Sequence, residues 1–213
     1  MMKKRLVIFD LDGTLIDAYP AIVSSFNYVR NKLGLPSVSS LIIRRAVGKG
    51  DENLIKPFVP AGKIKEAIRL YRSHHKLALL HGSSLLPGAA VLLKRLKAKQ
   101  LKLAVASNRP TRFSRILIKH LKISDYFDYV LCADKLENGK PHPQILLAIM
   151  KKMKVSASDT IYVGDMTVDA QAGRRAGVDT YIVTTGSSSK KEIGKERPAR
   201  ILNRVDKLLA FIG

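Results

Sequence analysis

Short apolar runs with many β-branched residues alternate with helical patterns along most of the chain. The runs end at Asp10, Ser107, about Leu131, Gly164 and Val183. Continuous apolar runs of this length are typical of parallel strands that are buried on both faces. Because helical patterns separate the runs, we predict an α/β fold with a Rossmann-like core, a five-stranded parallel sheet covered by helices on both faces.

Amphipathic spacing predicts the helices that connect these strands. They cover residues 86–96, 112–121, 143–154 and 167–176. In open parallel sheets, ligands bind beyond the carboxyl ends of the strands, near the point where the strand order switches. Asp10, Ser107 and Asp165 all stand at predicted strand ends, so we expect them to share one site.

The strand pattern disappears in the segment that follows the first strand. Helical patterns interrupted by proline and glycine replace it, at residues 19–33, 38–47, 51–58 and 61–79. We therefore predict a core made of residues 1–16 and 85–213 and a small all-helical domain, residues 17–84, inserted after the first strand. Connections near Asp17 and Ser83 would then be hinges. The alternative is four helices packed rigidly on the core.

Two acidic residues, Asp10 and Asp12, stand at the end of the first predicted strand, and Gly13 follows them. Two carboxylates so close together repel each other and are costly to bury without a partner. The pair is compatible with a Mg²⁺ site for phosphoryl transfer, with a Ca²⁺ loop, or with a polar turn that has no chemistry. A Ca²⁺ loop needs more oxygen ligands at close spacing than follow here, which leaves the other two interpretations.

Further motifs stand in other predicted loops and strand ends. The set is Asp-x-Asp-x-Thr at residues 10–14, a serine ending an apolar strand at 107, a lysine in a Gly-Lys-Pro turn at 140, and Gly-Asp-x-x-x-Asp at 164–169. In this order the motifs resemble those of the haloacid dehalogenase-like phosphohydrolase superfamily, and the resemblance covers essentially the whole chain. The helical insert after the first motif resembles the small cap domain of that family.

The resemblance implies covalent phosphoryl transfer. Asp10 is implied as the nucleophile, which forms an aspartyl phosphate that water later cleaves. Asp12 is implied as the acid that protonates the leaving oxygen and then activates water. Family members that cleave carbon–halogen or phosphonate bonds generally lack this second acid, so its presence favours a phosphate-ester enzyme. Lys140 is implied to offset charge on the nucleophile and the phosphoryl oxygens.

The resemblance also implies a Mg²⁺ cofactor. Asp10 and Asp165 are its implied side-chain ligands, together with the backbone carbonyl of Asp12. Asp169 follows Asp165 by four residues and would share its face of a helix. Its alternatives are support for the waters of the metal or for Lys140, and a first-turn acid favoured by the helix dipole. All four acids are predicted metal-site residues.

Substrate contacts are predicted in both domains. Thr14, Ser107 and the backbone N–H of Asn108 are implied phosphate ligands, the last two at a helix start that favours anions. The alternative for Ser107 is a plain helix N-cap. In the insert, Arg45 and Lys49 stand where relatives read the remote end of the substrate. The alternative for these two is a solvated basic face.

The formal net charge of the chain is +21. Such a charge attracts phosphate esters or nucleic acids, whereas the alternative is a set of solvated helix faces. We favour the alternative, because the basic residues are scattered, Trp is absent, and Phe113 is the only aromatic residue within the basic segments. Nucleic acid is therefore not an expected partner.

Length and composition indicate how many domains the chain can form and in which compartment it is expected. A chain of 213 residues with 46% hydrophobic residues has room for one good core and a small accessory domain. Cys132 is the only cysteine, which fits a reducing compartment. No apolar run is long enough to cross a bilayer, and Asp10 and Asp12 interrupt the apolar stretch after the basic start, so export is not expected. We predict a cytoplasmic protein without a membrane partner.

Together these features predict a Mg²⁺-dependent phosphatase that acts on a small phosphorylated metabolite, as a monomer or homodimer. The insert and the Leu-Pro-Gly segment at residues 86–88 look most like the phosphoglycolate phosphatase branch of the family. One alternative is a sugar phosphomutase of the β-phosphoglucomutase type, in which the phosphoryl group returns to a bound sugar instead of water. A second alternative is a basic nucleic-acid-binding protein with a vestigial site.

Overall fold

A computed structural model describes residues 4–212. Residues 1–3, part of the basic start and of the predicted core, and Gly213 lie outside the described residues. The strands are β1 (Leu6–Phe9), β2 (Ile16–Asp17), β3 (Ser84–Leu85), β4 (Lys102–Ser107), β5 (Tyr129–Cys132), β6 (Thr160–Gly164), β7 (Asp179–Val183) and β8 (Arg200–Leu202). The α-helices are α1 (Tyr19–Lys32), α2 (Ser40–Ala46), α3 (Asp51–Ile55), α4 (Ile64–His81), α5 (Ala89–Ala98), α6 (Thr111–His120), α7 (Gln144–Met153), α8 (Thr167–Ala176) and α9 (Lys190–Lys195). Within residues 4–212, none of the helices has both the length and the apolar composition needed to span a bilayer.

The main sheet is parallel, with the strand order β5–β4–β1–β6–β7–β8. The predicted α/β class is therefore confirmed, but the predicted number of five strands is wrong. The additional edge strand, β8, pairs with β7 from Arg200 opposite Tyr181 to Leu202 opposite Val183. Of its three residues only Leu202 is buried, so β8 lacks the apolar run that reveals the other strands.

Strand β1 lies between β4 and β6, and all of its side chains are buried. Val7 and Phe9 pack on one face of the sheet with residues of α5 and α6. Leu6 and Ile8 pack on the other face with residues of α7 and α8. Because successive side chains of a strand point to opposite faces, a strand covered on both faces is apolar at every position. This is why the apolar run at residues 6–9 predicts a strand that is covered on both faces.

Helices α1 to α4 form an insert, called the cap below, between the two strands of an antiparallel ribbon. In the ribbon, β2 pairs with β3, Ile16 opposite Leu85 and Asp17 opposite Ser84. The cap has its own hydrophobic cluster, whose buried members are Tyr19, Ile22, Phe26, Val29, Ile43, Leu54, Ile55, Ala67 and Tyr71. The ribbon holds the two connections side by side. The division at residues 17–84 stays a prediction, and the ribbon is where we expect its hinge.

The carboxyl ends of the central strands meet beneath the cap. Phe9, the last residue of β1, lies opposite Val105 of β4 and Val163 of β6. The N–H of Asp10 donates to the carbonyl of Val163 at 2.9 Å, which fixes the chain as it leaves β1. The strand order switches at β1, and this edge of the sheet is the expected place for a ligand.

Replacing Leu93 by Ala is expected to lower the free energy of unfolding by about 2–5 kcal/mol, because this side chain of α5 is fully buried. The matched control is Val91→Ala in the same helix, where the side chain is 55% exposed. The control should change stability by no more than about 0.5 kcal/mol. Denaturant titration followed by circular dichroism measures both. Equal losses would contradict the packing described for α5.

Candidate active site

Three buried carboxylates meet where β1 and β6 end. Asp10 follows β1, Asp165 follows β6, and Asp169 lies in the first turn of α8. One oxygen atom of each carboxylate lies within 4.8 Å of the others. The structure thus brings together three of the four acids predicted for the metal site.

Lys140 lies inside this cluster. Its Nζ atom is 2.8 Å from Asp10 Oδ1 and 2.7 Å from Asp169 Oδ1. It also donates to the carbonyl of Ala106 and to the hydroxyl of Tyr162, at 3.1 Å each. Burial opposes the charge, but the carboxylates of Asp10 and Asp169 outweigh it and raise the pKa of Lys140 well above its ordinary value. Lys140 therefore stays charged and holds Asp10 in place.

The carboxylate of Asp169 is occupied by protein groups. Its Oδ2 accepts the N–H groups of Asp165 and Met166 at 3.2 and 3.0 Å. Its Oδ1 accepts from Lys140 at 2.7 Å and from the hydroxyl of Tyr162 at 2.6 Å. Among the roles predicted for Asp169, these contacts fit support of Lys140 and of the helix start. Tyr162 was not predicted, and its only signal is an aromatic hydroxyl within an apolar strand.

Asp165 has a carboxylate oxygen available for a ligand. Thr14 donates to Oδ1 at 3.0 Å, whereas Oδ2 is buried and has no hydrogen-bond partner among residues 4–212. The backbone closes around this carboxylate at Gly13 and Gly186, where an added Cβ atom would overlap it. Gly13 also has a φ of +83°, which favours glycine. Thr14, predicted to bind phosphate, is buried and orients an acid of the carboxylate cluster instead.

The charge of the cluster fits a divalent cation. Burial, and then the charges of Asp169 and Asp10, raise the pKa of Asp165 well above its ordinary value. Burial, partly offset by Lys140, raises the pKa of Asp10 to about 6. One ammonium group contacts two of the three carboxylates, so an excess of acidic groups is buried beside an unpartnered oxygen. Such oxygen ligands suit Mg²⁺, and Asp10 and Asp165 are the side chains that would hold it.

The side chain of Asp12 contacts Arg109 instead of the carboxylate cluster. Arg109 Nε donates to Asp12 Oδ2 at 2.8 Å, and Arg109 Nη2 donates to Oδ1 at 2.7 Å. Such a bidentate pair fixes both side chains. Of the atoms of Asp12, only the backbone carbonyl thus remains as a candidate metal ligand. Arg109 was not predicted, although a cation two residues after the motif residue Ser107 is a signal that points to it.

A neutral histidine of the cap extends this contact. Arg109 Nη1 donates to His75 Nε2 at 2.7 Å. Burial and the charge of Arg109 lower the pKa of His75 to about 2, so the imidazole is neutral. Because Nε2 accepts, Nδ1 carries the proton and donates to Ser25 Oγ at 3.0 Å. A chain of hydrogen bonds therefore runs from Asp12 in the core to Ser25 in the cap.

Ser107 and Asn108 lie at the carboxyl end of β4. Ser107 Oγ accepts the N–H of Arg109 at 3.2 Å. The side-chain amide of Asn108 donates to the carbonyls of Gly48 and Lys140 at 2.8 and 2.9 Å, and accepts the N–H of Lys140 at 2.8 Å. The side chain of Asn108 thus connects a cap loop, the lysine loop and β4. Its backbone N–H is left for the predicted phosphate contact.

Arg45 and Lys49 were predicted to contact the remote end of the substrate. In the structure they do not line the cavity at the carboxylates. Arg45 forms an exposed ion pair with Glu192 of α9 at 3.0 Å, and Lys49 lines the same outer groove. Lys49 stands between two glycines of positive φ, Gly48 at +121° and Gly50 at +84°, whereas Arg45 belongs to the last turn of α2. The two glycines line the cavity, whereas Arg45 and Lys49 line the outer groove.

The cavity lies between the cap and the core. Its core lining includes Asp10, Asp12, Ser107, Arg109 and Lys140, and its cap lining includes Ile22, Val47, Leu54, Tyr71 and His75. Its volume is about 60 Å³. Because one water molecule needs roughly 10–15 Å³ of such space, the cavity admits only a small ligand.

The fold and the site together define a capped α/β enzyme with an acidic cluster suited to a divalent cation. Residues 7–183 match the family of haloacid dehalogenase-like hydrolases. The chain belongs to this family.

Relatives and solved structures agree on the class of enzyme. The chain is 30% identical to a phosphoglycolate phosphatase of Pseudomonas fluorescens Pf-5, with 96% of this chain and 78% of the relative covered. It is 29% identical to a phosphoglycolate phosphatase of Yersinia pestis, with 98% and 93% covered. The crystal structure of a predicted phosphoglycolate phosphatase from Haemophilus somnus 129PT superimposes with a TM-score of 0.94 at 25% identity, and both chains are fully covered. The chain is therefore a phosphoric monoester hydrolase.

Replacing Asp165 by Asn is expected to raise the Tm of the metal-free protein, because it removes one of three buried charges that repel one another. The same change should abolish the rise in Tm on adding Mg²⁺. In the unchanged protein, Mg²⁺ at about 100 times its Kd adds about 2.7 kcal/mol, which corresponds to roughly 5–10 °C. Calorimetry in a chelator and in Mg²⁺ measures both effects.

The matched control is Asp125→Asn, an exposed position that does not line the cavity. This variant should keep the full response to Mg²⁺. A full response in the Asp165→Asn variant would instead show that the cation binds elsewhere.

Proposed function

We propose that this protein is a Mg²⁺-dependent phosphatase that hydrolyses a small phosphomonoester through an aspartyl phosphate on Asp10. Phosphoglycolate, the substrate in the names of several relatives, is the first substrate to test. The observation that carries the proposal is the buried contact of Asp10 with Lys140, 2.8 Å long, beside the unpartnered oxygen of Asp165. A nucleophilic carboxylate, a fixed cation and a free ligand oxygen are what phosphoryl transfer to a carboxylate requires.

Asp10 is the nucleophile of the proposed reaction. One of its oxygens forms a bond to phosphorus while the bond from phosphorus to the leaving oxygen breaks. Water then attacks the phosphorus of the aspartyl phosphate, releases inorganic phosphate and restores Asp10. The hydrogen bond of its N–H to β6 and the contact with Lys140 hold the residue at the end of β1. This fixed position lowers the entropy that the attack must lose.

Developing negative charge has three proposed partners on this chain. Lys140 lies beside the nucleophile, and the hydroxyl of Ser107 with the backbone N–H of Asn108 would donate to phosphoryl oxygens. When bound, Mg²⁺ supplies positive charge that offsets both the acidic cluster and the phosphoryl oxygens. Asp10 and Asp165 are its proposed side-chain ligands.

Asp12 is the proposed acid and base. Its carboxylate lines the cavity beside Asp10. It would donate a proton to the leaving oxygen as the ester bond breaks and accept a proton from the attacking water. Its backbone carbonyl is the third proposed metal ligand. The two functions use different atoms. The carboxylate, which Arg109 holds in place, would transfer the proton, and the backbone carbonyl would bind the metal.

The small cavity supports a small substrate. A cavity of about 60 Å³ is far smaller than a nucleic acid or a protein segment, which favours a small phosphorylated metabolite as the substrate. A cytoplasmic location and a monomeric or homodimeric state stay predictions.

Replacing Asp10 by Asn is expected to lower phosphate release by about four orders of magnitude or more, because the amide is a far weaker nucleophile. The measurement is a phosphate-release assay with Mg²⁺ over a panel of phosphomonoesters that includes phosphoglycolate. The Asp125→Asn variant is the matched control and should keep normal activity. Unchanged turnover in the Asp10→Asn variant would exclude the aspartyl-phosphate mechanism.

Removing divalent cations is expected to abolish phosphate release, because the excess charge of the acidic cluster would then repel the phosphoryl group. Dialysis against a chelator, followed by assay with and without added Mg²⁺, measures the effect. Activity should return with Mg²⁺. Full activity in the chelator would show that the reaction does not need the cation.

The same preparation separates the two alternative functions. Bisphosphate-dependent isomerisation of a sugar phosphate with little hydrolysis would identify a phosphomutase. DNA or RNA binding that falls steeply with salt, is unaffected by Asp10→Asn and occurs without hydrolysis would identify a nucleic-acid-binding protein.

A further inference from the structure

Among the described residues, Lys140 and Arg109 are the lysine and arginine side chains that line the cavity. The ammonium group of Lys140 contacts four protein oxygens, although it has only three N–H donors. All three N–H donors of Lys140 are thus occupied by protein oxygens, at the end of the cavity where the proposed nucleophile lies. Any second anionic group of a substrate would therefore bind to Arg109.

Arg109 has donors left for such a group. A guanidinium carries five N–H donors, and three of them bind Asp12 and His75 at 2.7–2.8 Å. The other two make no hydrogen bond within residues 4–212. A planar guanidinium with two donors matches the geometry of a carboxylate.

The guanidinium is also held in place from the cap. The ring of His75 stacks on Tyr71 with 4.7 Å between centroids and meets Phe113 edge-on at 5.0 Å. The neutral ring accepts from Arg109 and brings no second positive charge. A group that is already fixed loses little entropy when it binds a ligand.

The cap side of the cavity is largely apolar. Ile22, Val47 and Leu54 line it, and the carboxylate of Asp51 is bound to Arg72 at 2.7 Å. A leaving group with many hydroxyls would lose its hydrogen bonds to water here without replacing them. A short leaving group with a single anionic end fits this wall better.

We propose that Arg109 determines substrate specificity by binding a carboxylate on the leaving group, with His75 as the positioning residue that holds it. This inference rests on the proposed phosphatase function. Arg109 also binds Asp12, the acid assigned to the leaving oxygen, so the carboxylate and the ester oxygen must lie within a few bonds of each other. The substrate class is therefore the phosphate ester of a short 2-hydroxy acid.

The test compares phosphoglycolate with 2-hydroxyethyl phosphate, an ester of similar size without the carboxylate. The unchanged protein should prefer phosphoglycolate by roughly tenfold to a hundredfold in kcat/KM. Arg109→Gln should lower kcat/KM for phosphoglycolate at least tenfold more than for the neutral ester. His75→Phe, which keeps a ring but removes the acceptor, should shift the ratio in the same direction by less. Arg112→Gln, an exposed position in the first turn of α6, three residues after Arg109, is the matched control and should keep the ratio.

A binding measurement complements the kinetics. In the Asp10→Asn background, adding Arg109→Gln should weaken the binding of phosphoglycolate at least tenfold more than that of inorganic phosphate, as measured by calorimetry. Circular dichroism checks folding, and if Arg109→Gln does not fold, His75→Phe carries both comparisons.

The outcomes distinguish the two proposals. Equal losses on the two esters would show that Arg109 only supports Asp12, which overturns the specificity inference and leaves the phosphatase standing. A preference of the unchanged protein for the neutral ester would do the same. Failure of the unchanged protein to release phosphate from any ester would overturn the proposed function, and this inference with it.

Discussion

Repulsion among Asp10, Asp165 and Asp169 is the constraint on which the site depends. Three carboxylates buried within 4.8 Å of one another are unstable unless each has a specific partner. Lys140 lies between two of them, the start of α8 binds Asp169 through backbone N–H groups, and Thr14 orients Asp165. Since one ammonium cannot neutralise three carboxylates, a divalent cation held by the cluster would offset the remaining repulsion.

The cap is coupled to this site through two connections from the end of β4. The amide of Asn108 binds the cap loop at Gly48 and the backbone of Lys140 at the same time. The next residue, Arg109, binds both Asp12 and His75. A movement of the cap would therefore disturb the groups proposed for phosphate binding and proton transfer. Opening of the cap and loss of catalytic geometry would occur together, which favours reaction only in the closed, water-poor form.

The sequence predicts the parts of this structure that arise from regular burial. Strands covered on both faces are apolar at every position, so their ends, and Asp10, Ser107 and Asp165 with them, can be located without coordinates. The edge strand β8 escapes because only Leu202 is buried. Arg45 and Lys49 lie outside the cavity, and Arg45 instead pairs with Glu192 of α9, a contact between distant residues that a local pattern does not predict. Arg109 and His75, which are in contact, lie 34 positions apart in the sequence. A periodic pattern of apolar residues does not predict such a contact.

The surplus of basic residues must act, if it acts at all, from outside the cavity. The lysine and arginine that line it in the described chain each contact at least one carboxylate, so the net charge of +21 belongs to the surface. Surface charge changes the rate at which anionic substrates arrive, and salt screens it over about 10 Å. In the proposed mechanism, discrimination among substrates that have already arrived would depend on the two buried cations. In the proposed reaction, Lys140, shared between Asp10 and Asp169, would offset the charge of the phosphoryl group, whereas Arg109, which has two N–H donors left, would bind the leaving group.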